Sequence, residues 1–349
     1  MWLLPSSPNT GNNRIDRLDG LRTVAILMVV CFHTTRLGPP FGYSGVDLFF
    51  VLSGYFITGI LLGTRSKPNY WSRFYIRRIA RILPPVILLL ALYVLVTKHV
   101  QPLTVLGYGL FAGNLTSLTR FSRAMLNPLW SLAVEEHFYL LWPLAVAFFR
   151  RRTLLMLLLA ILVTEPILRA MATPHFDSWA YIYYLTPFRL DSLAAGSLLA
   201  LLTEAGAAFP WQRWCGWAVL ALSPSFLFCS TTVRDVNSVT YNALAYSFFA
   251  AIYFCLVAWV LMLRRGVVYD ILSSRPVTYL GRISYGVYLF HIPVNQVMLR
   301  ALHRDPSPVD LILTLGLASV IYFVMERPII AYARRLTNDV QKSFAESFS

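Results

Sequence analysis

Arg22 and His33 stand eleven positions apart, and every residue between them is apolar except Thr23. On an α-helix that separation turns through about 1100°, three turns and roughly 20°, so both side chains share one face about 16 Å apart. Ionisable groups at membrane depth are costly and normally point into a bundle or a water-filled cavity, where they mark a substrate or proton path. A guanidinium suits phosphate or carboxylate oxygens, and a neutral imidazole can take a proton from a weak nucleophile. His33 alone could equally serve as a helix-to-helix hydrogen-bond donor.

Five further groups carry ionisable residues in apolar surroundings. Gly45-Val-Asp47-Leu-Phe-Phe-Val-Leu-Ser53-Gly54 opens an apolar run with a carboxylate and places a hydroxyl and a glycine in its middle. Asp47 either complements the positive end of a helix or orients His33. Between Trp71 and Pro84, Arg73, Arg77 and Arg81 recur at four-residue spacing with Arg78 one step off the stripe. That pattern fits contact with anionic lipid or a phosphate cradle. Trp130-Ser-Leu-Ala-Val-Glu135-Glu136-His137-Phe-Tyr139 puts three consecutive ionisable side chains at the head of another run, and Ser131, Glu135 and Tyr139 follow one stripe. Glu135 is therefore the inward carboxylate, with Glu136 about 100° round the helix. Arg189 and Asp191 lie about 200° apart on a helix, which suits salt bridges to different neighbours. Ser284, Tyr288, His291 and Asn295 form one polar face of an otherwise apolar segment.

The elements that must hold these residues are membrane spans. The chain has 349 residues, is 57% hydrophobic and 13% charged, and its mean hydropathy is +0.59; a soluble domain of this size would not carry that surface. Apolar stretches of about 15 to 24 residues recur from end to end: Leu18–Thr35, Gly45–Leu62, Ile82–Thr97, Leu129–Phe149, Leu154–Met171, Phe188–Leu202, Trp214–Ser230, Ala243–Leu263, Val277–Leu299 and Val309–Met325. This predicts an all-α integral membrane protein of about ten transmembrane helices, a single polytopic domain over 1–349. Pro102–Ser117, broken by Gly107, Gly109 and Gly113, is expected to be interfacial or re-entrant.

Net charge is +14, but the basic residues cluster in short connections and not on one soluble face, which argues against a nucleic-acid partner. Arg65, Lys67 and Arg73–Arg81, then Arg150–Arg152, Arg213, Arg264, Arg265, Arg275, Arg327, Arg334 and Arg335 fall on alternate connections. By the positive-inside rule both termini are cytoplasmic, with 1–17 an N-terminal segment that is not a cleaved signal and 327–349 a polar cytoplasmic tail. The cysteines Cys31, Cys215, Cys229 and Cys255 are scattered through apolar segments, which suits buried thiols and neither disulfides nor metal ligands. No metal is expected.

Arg17-Leu-Asp-Gly-Leu-Arg22, Phe32-His33, the Gly45–Gly54 run, Arg77-Arg-Ile-Ala-Arg-Ile-Leu-Pro84, Trp130–Tyr139, Arg189-Leu-Asp-Ser-Leu193, Ile283-Ser-Tyr-Gly-Val-Tyr-Leu-Phe-His291 and Glu326-Arg-Pro328 come in one collinear order. In that order they resemble the membrane-bound acyltransferase-3 family of O-acyltransferases. The resemblance implies a ten-span fold in a bacterial-type inner membrane. It also implies transfer of an acyl group, commonly acetyl, from cytoplasmic acyl-CoA to a hydroxyl of an extracytoplasmic glycan or other acceptor. Arg22 and His33 match the family's Arg-x10-His motif, and the Arg73–Arg81 stretch looks like its basic loop, which would hold the CoA phosphates. His137 stands where the family commonly has Gln. No fused esterase-like domain is expected, in which case partner enzymes of envelope glycan synthesis would be separate chains.

On that reading His33 acts as general base, with Glu135 or Asp47 fixing its tautomer, and an acyl-imidazole intermediate is the competing mechanism. Arg22, Arg189 or Tyr288 could donate to the thioester oxyanion. Glu136, Asp191 and His291 support the site. A polytopic transporter of an anionic or proton-coupled solute is the rival reading; the chain shows no repeat symmetry between halves of the kind many transporters have.

Overall fold

A computed structural model describes residues 15–34, 41–120, 122–204, 211–232, 236–303 and 307–346. The N-terminal residues 1–14, and so most of the expected cytoplasmic segment, lie outside the described residues. Fifteen α-helices follow one another: α1 (Asp16–Thr34), α2 (Gly45–Thr64), α3 (Tyr70–Val96), α4 (Pro102–Gly109), α5 (Gly113–Thr116), α6 (Leu129–Phe148), α7 (Arg151–Ala172), α8 (Trp179–Tyr184), α9 (Leu190–Glu204), α10 (Trp211–Thr232), α11 (Val239–Met262), α12 (Val267–Ser273), α13 (Arg275–Leu302), α14 (Pro308–Ile321) and α15 (Arg327–Glu346). No strand occurs among the described residues. The protein is an all-α bundle, as the uniform apolar composition requires.

Five stretches are long and apolar enough to cross a bilayer: Gly42–Thr64, Tyr70–Val96, Arg151–His175, Val239–Met262 and Pro308–Asn338. α1, α6 and α13 are of spanning length at 19, 20 and 28 residues, but they carry the ionisable and polar residues singled out above. Lipid and bundle interior are told apart by exposure: Leu140, Leu141, Phe148, Val163 and Val324 face outward, while Leu48, Val51, Leu52 and Ile57 are buried.

Close helix contact rests on small residues. A Cβ at Gly54 would strike the Leu193 carbonyl, and one at Gly196 would strike the Val51 carbonyl. The backbones of α2 and α9 therefore touch, the usual device where lipid supplies no hydrophobic drive for association.

Two expectations change. The Arg73–Arg81 stretch is not a separate loop: α3 runs unbroken from Tyr70 through Pro84 and Pro85 to Val96, so the arginines sit on the same helix as the apolar run. The polar stretch after Met325 is helical too. A π-turn at Tyr322–Glu326 joins α14 to α15, and α15 packs on α3. Asn69 of the α2–α3 connection donates to the Thr337 carbonyl at 3.1 Å. The Pro102–Ser117 stretch forms the two short helices α4 and α5, separated at Leu110–Ala112 as its glycines suggest.

Candidate active site

Two chambers form inside the bundle, at opposite ends of α1. The first holds Arg22 of α1, Ser53 of α2, Arg78 and Arg81 of α3, and Glu135 and Tyr139 of α6, and it is narrow, about 70 Å³. The second is larger, about 330 Å³, and holds His33 of α1, His291 of α13 and a wall of aromatic rings. Among the described residues only Val46 and Tyr288 line both, so the chambers adjoin there, at what we term the neck. Ser131 and Tyr288 close one side of it, hydroxyl to hydroxyl at 2.6 Å. Ser131 Oγ also lies 3.3 Å from the Pro128 carbonyl, so its hydrogen can go to either acceptor and either hydroxyl of the pair can be the donor.

In the arginine chamber Glu135 is held at both oxygens. Ser53 Oγ donates to Oε1 at 2.8 Å, and the Tyr139 hydroxyl donates to Oε2 at 3.0 Å. The Arg78 guanidinium lies 3.9 Å from the centre of the Tyr139 ring, a desolvated cation-π contact. Arg78 and Arg22 both act on Glu135 electrostatically. Three guanidinium groups share the lining with one carboxylate, while Asp19, Glu136 and Glu326 act on the same guanidinium groups from behind it, so the face turned to the chamber is the cationic one and suits an anionic ligand. Glu136, one position on, lines neither chamber.

The arginine stripe divides. Arg78 and Arg81 enter the chamber, whereas Arg77 turns to α15, donating to Thr337 Oγ1 at 2.8 Å and Asn338 Oδ1 at 2.9 Å. Arg73 and Arg334 lie close enough to Arg77 to repel it, and Arg81 to repel Arg334. A row of like charges therefore leads from the α3–α15 surface to the chamber. Arg334 belongs to this row, and the apolar-run reading, which treated its segment as a tail, missed it.

In the histidine chamber the Nδ1 of His33 lies 2.8 Å from the Val29 carbonyl. A carbonyl can only accept, so Nδ1 carries the hydrogen and the neutral ring keeps its lone pair at Nε2. The orienting partner is thus a backbone carbonyl of α1 itself, not Asp47 or Glu135. Asp47 is engaged elsewhere: Arg189 Nη2 reaches its Oδ1 at 2.9 Å and Ser192 Oγ donates to the same oxygen at 3.0 Å. Glu135 lies across the neck from His33, in the other chamber.

Arg189 and Asp191 line neither chamber. They form a buried ionic layer tying α2, α7, α9 and α11 together. Asp191 pairs with Arg169 at 2.9 Å, and Arg169 also pairs with Glu165 at 3.1 Å and donates to Ser247 at 2.6 Å. Arg189 sits against the back of the chamber wall, 4.2 Å from the centre of the Tyr246 ring and 5.0 Å from that of Tyr183. Arg169 was not among the expected residues; its signal is a Glu165–Arg169 pair one turn apart in an apolar run. The aromatic wall was also missed. Its signal is the Trp179-Ala-Tyr-Ile-Tyr-Tyr184 cluster in a segment without a long apolar run.

On α13 the expected polar face holds together. Ser284 and Tyr288 line the arginine chamber and Tyr288 and His291 the histidine chamber, while Asn295 donates to Thr34 at 3.4 Å. His137 Nδ1 meets the Thr186 hydroxyl at 2.7 Å, outside both chambers. Among the described residues no group of three His, Cys, Asp or Glu side chains could hold a metal ion.

A family model described as an acyltransferase domain matches residues 15–326. O-acetyltransferase OatA of Staphylococcus aureus is 27% identical to this chain, over 89% of it and 56% of the relative. Peptidoglycan O-acetyltransferase OatA of Listeria monocytogenes is 27% identical over 80% of this chain and 49% of its own length. A putative peptidoglycan O-acetyltransferase, YrhL of Bacillus subtilis, is 30% identical over 90% of this chain and 55% of its own. The chain spans about half the length of the curated relatives it matches. No solved structure matches it.

Proposed function

The chain belongs to the acyltransferase family matched over residues 15–326, and from that premise we propose that it is a transmembrane O-acyltransferase. It takes an acyl group, acetyl as in the relatives' names, from cytoplasmic acyl-CoA and delivers it to a hydroxyl of a cell-envelope glycan on the far side of the membrane. The observation that carries this reading is the pair of chambers with opposite chemistry, one cationic and one bearing a free imidazole nitrogen, meeting at Val46 and Tyr288.

Ten spans fit this arrangement, the five apolar stretches together with α1, α6, α9, α10 and α13, with both termini cytoplasmic by the distribution of Lys and Arg. The nucleotide phosphates are met by Arg73, Arg77 and Arg334 at the α3–α15 surface, where mutual repulsion among guanidinium groups is relieved by an anion. The arginine chamber, at about 70 Å³, is too small for a nucleotide, so only the thioester arm passes Arg81, Arg78 and Arg22 toward the neck. Glu135, clamped by Ser53 and Tyr139, holds Arg22 and Arg78 in place.

Past the neck, His33 Nε2 takes the proton from the acceptor hydroxyl as its oxygen attacks the thioester carbon. The new C–O bond forms, the C–S bond breaks, and the proton passes from His33 to the departing thiolate. Tyr288, at the neck, can donate its one hydroxyl hydrogen to the carbonyl oxygen as charge develops there, with Ser131 then donating to the Tyr288 oxygen. General-base catalysis of this kind contributes about 10²–10⁴-fold.

The test is release of CoA and label transfer from labelled acetyl-CoA to envelope glycans by membranes holding the wild-type chain or His33→Ala. Transfer by the wild type alone supports the reading. Transfer retained by His33→Ala removes His33 from the mechanism, and no CoA release by folded wild-type protein favours transport of a solute instead.

A further inference from the structure

We propose that the histidine chamber is a binding site for a sugar or polyol ring held by two of its hydroxyl groups. His33 takes the proton of the reacting hydroxyl, and His291 accepts a hydrogen bond from a second one. The inference rests on the acyl-transfer reading of His33 and adds the residue that selects the acceptor.

His291 is 1% exposed, yet its Nε2 has no hydrogen-bond partner within the protein. Its Nδ1 lies 2.6 Å from the Tyr288 carbonyl, which can only accept, so in the neutral ring Nε2 is a lone pair. A buried acceptor left unsatisfied costs free energy and calls for a partner. His33 has the same tautomer, fixed the same way by Val29. The two ring centres are 5.2 Å apart and both rings line the chamber. Two acceptors cannot satisfy one another. What suits both is a ligand presenting two donors close together, and neighbouring hydroxyl groups on one ring do this.

The remaining wall fits the rest of such a ligand. Trp130 lies 4.6 Å from Tyr183 and 5.2 Å from Tyr184, centre to centre, and Trp179 lies 5.4 Å from Tyr183. These rings offer broad apolar faces to the C–H face of a sugar, with polar tips for its edge. No Lys, Arg, Asp or Glu is among the described residues lining the chamber, so the ligand is held by uncharged contacts. The chamber volume of about 330 Å³ is at the small end of ligand sites, which matches one ring better than a long oligosaccharide.

The experiment measures acetyl transfer from acetyl-CoA to methyl β-glucoside and to its singly deoxygenated analogues, with purified protein in nanodiscs. His291→Phe keeps a ring but no acceptor; His291→Gln restores an acceptor oxygen. The inference expects one deoxy analogue to react with about tenfold lower kcat/KM on the wild type. His291→Phe should raise KM for the parent glycoside by about the same factor yet show no further loss with that analogue, and His291→Gln should recover most of the difference. Equal loss by His291→Phe on every acceptor, or no loss with folded protein, overturns the inference. So does a wild type that releases CoA but is not accelerated by any of the glycosides. Failure of the wild type to release CoA at all sinks the acyl-transfer reading itself, and the inference with it.

Discussion

Arg169→Met should destabilise the bundle far more than an ordinary core substitution. The guanidinium is fully buried, and its five polar contacts reach Glu165, Asp191, Ser247 and the carbonyls of Phe188 and Ala243, at 2.6 to 3.4 Å. Met fills much of the same space but leaves two carboxylates inside the bundle without their paired cation, with only Arg189 acting on them from further away. Asp191 keeps the Ser192 backbone N–H at 2.9 Å and the Ser247 hydroxyl at 3.1 Å, which offsets only part of the loss. Removing one partner of a buried pair costs about 3–5 kcal/mol, a factor of roughly a hundred to several thousand in the folding equilibrium. The same reasoning says that the charges themselves are the problem. Arg169→Met with Glu165→Leu and Asp191→Leu should therefore recover to within about 1–2 kcal/mol of the wild type. The assay is reversible denaturant unfolding in mixed micelles for the single and triple variants. A single variant that loses less than about 1 kcal/mol, or a triple variant no more stable than the single, refutes the ionic layer as described.

Two predictions concern the arginine chamber and the row of arginines that leads to it. Ser53→Ala and Tyr139→Phe each remove one donor from Glu135, a charge-assisted bond worth about 1.5–3 kcal/mol, so acyl transfer should fall about tenfold or more in each, read as kcat/KM for acetyl-CoA. Arg77→Met and Arg334→Met should raise KM for acetyl-CoA but leave KM for acetyl-pantetheine, which lacks the nucleotide phosphates, within about twofold, and added salt should weaken only the CoA-dependent difference.

The sequence shows the residues of the site better than it shows their partners. Arg22 and His33 are visible because a helix of known pitch must place them on one face, and both do reach chambers along α1. The run Ser284, Tyr288 and His291 is legible for the same reason. Partners across the bundle are another matter. Nothing local says that Asp47 meets Arg189, 142 residues away, and not His33. Nor does periodicity say which arginine of a stripe turns inward. Arg77 and Arg81 share a face by spacing, but α15 packs on α3 and draws Arg77 to itself, a contact hidden while residues 327–349 read as a tail. The basic stretch and the span starting at Ile82 read as separate elements, yet α3 runs through both, Pro84 and Pro85 included. Likewise α1, α6 and α13, which escape a purely apolar criterion, bring Arg22, His33, Glu135, Tyr288 and His291 to the chambers, because polar lining residues dilute the hydrophobic signal. The aromatic wall was overlooked because α8 is short, and short segments carry little periodicity.

Transfer across the membrane is the account's central claim, and sealed proteoliposomes test it directly. Labelled acetyl-CoA is supplied only on the side bearing the α3–α15 arginines and a glycan acceptor only on the other. Appearance of label on the glycan with matching CoA release on the donor side, absent with His33→Ala, is the predicted result. CoA release with label confined to the donor compartment, or label crossing as intact acetyl-CoA, would contradict it.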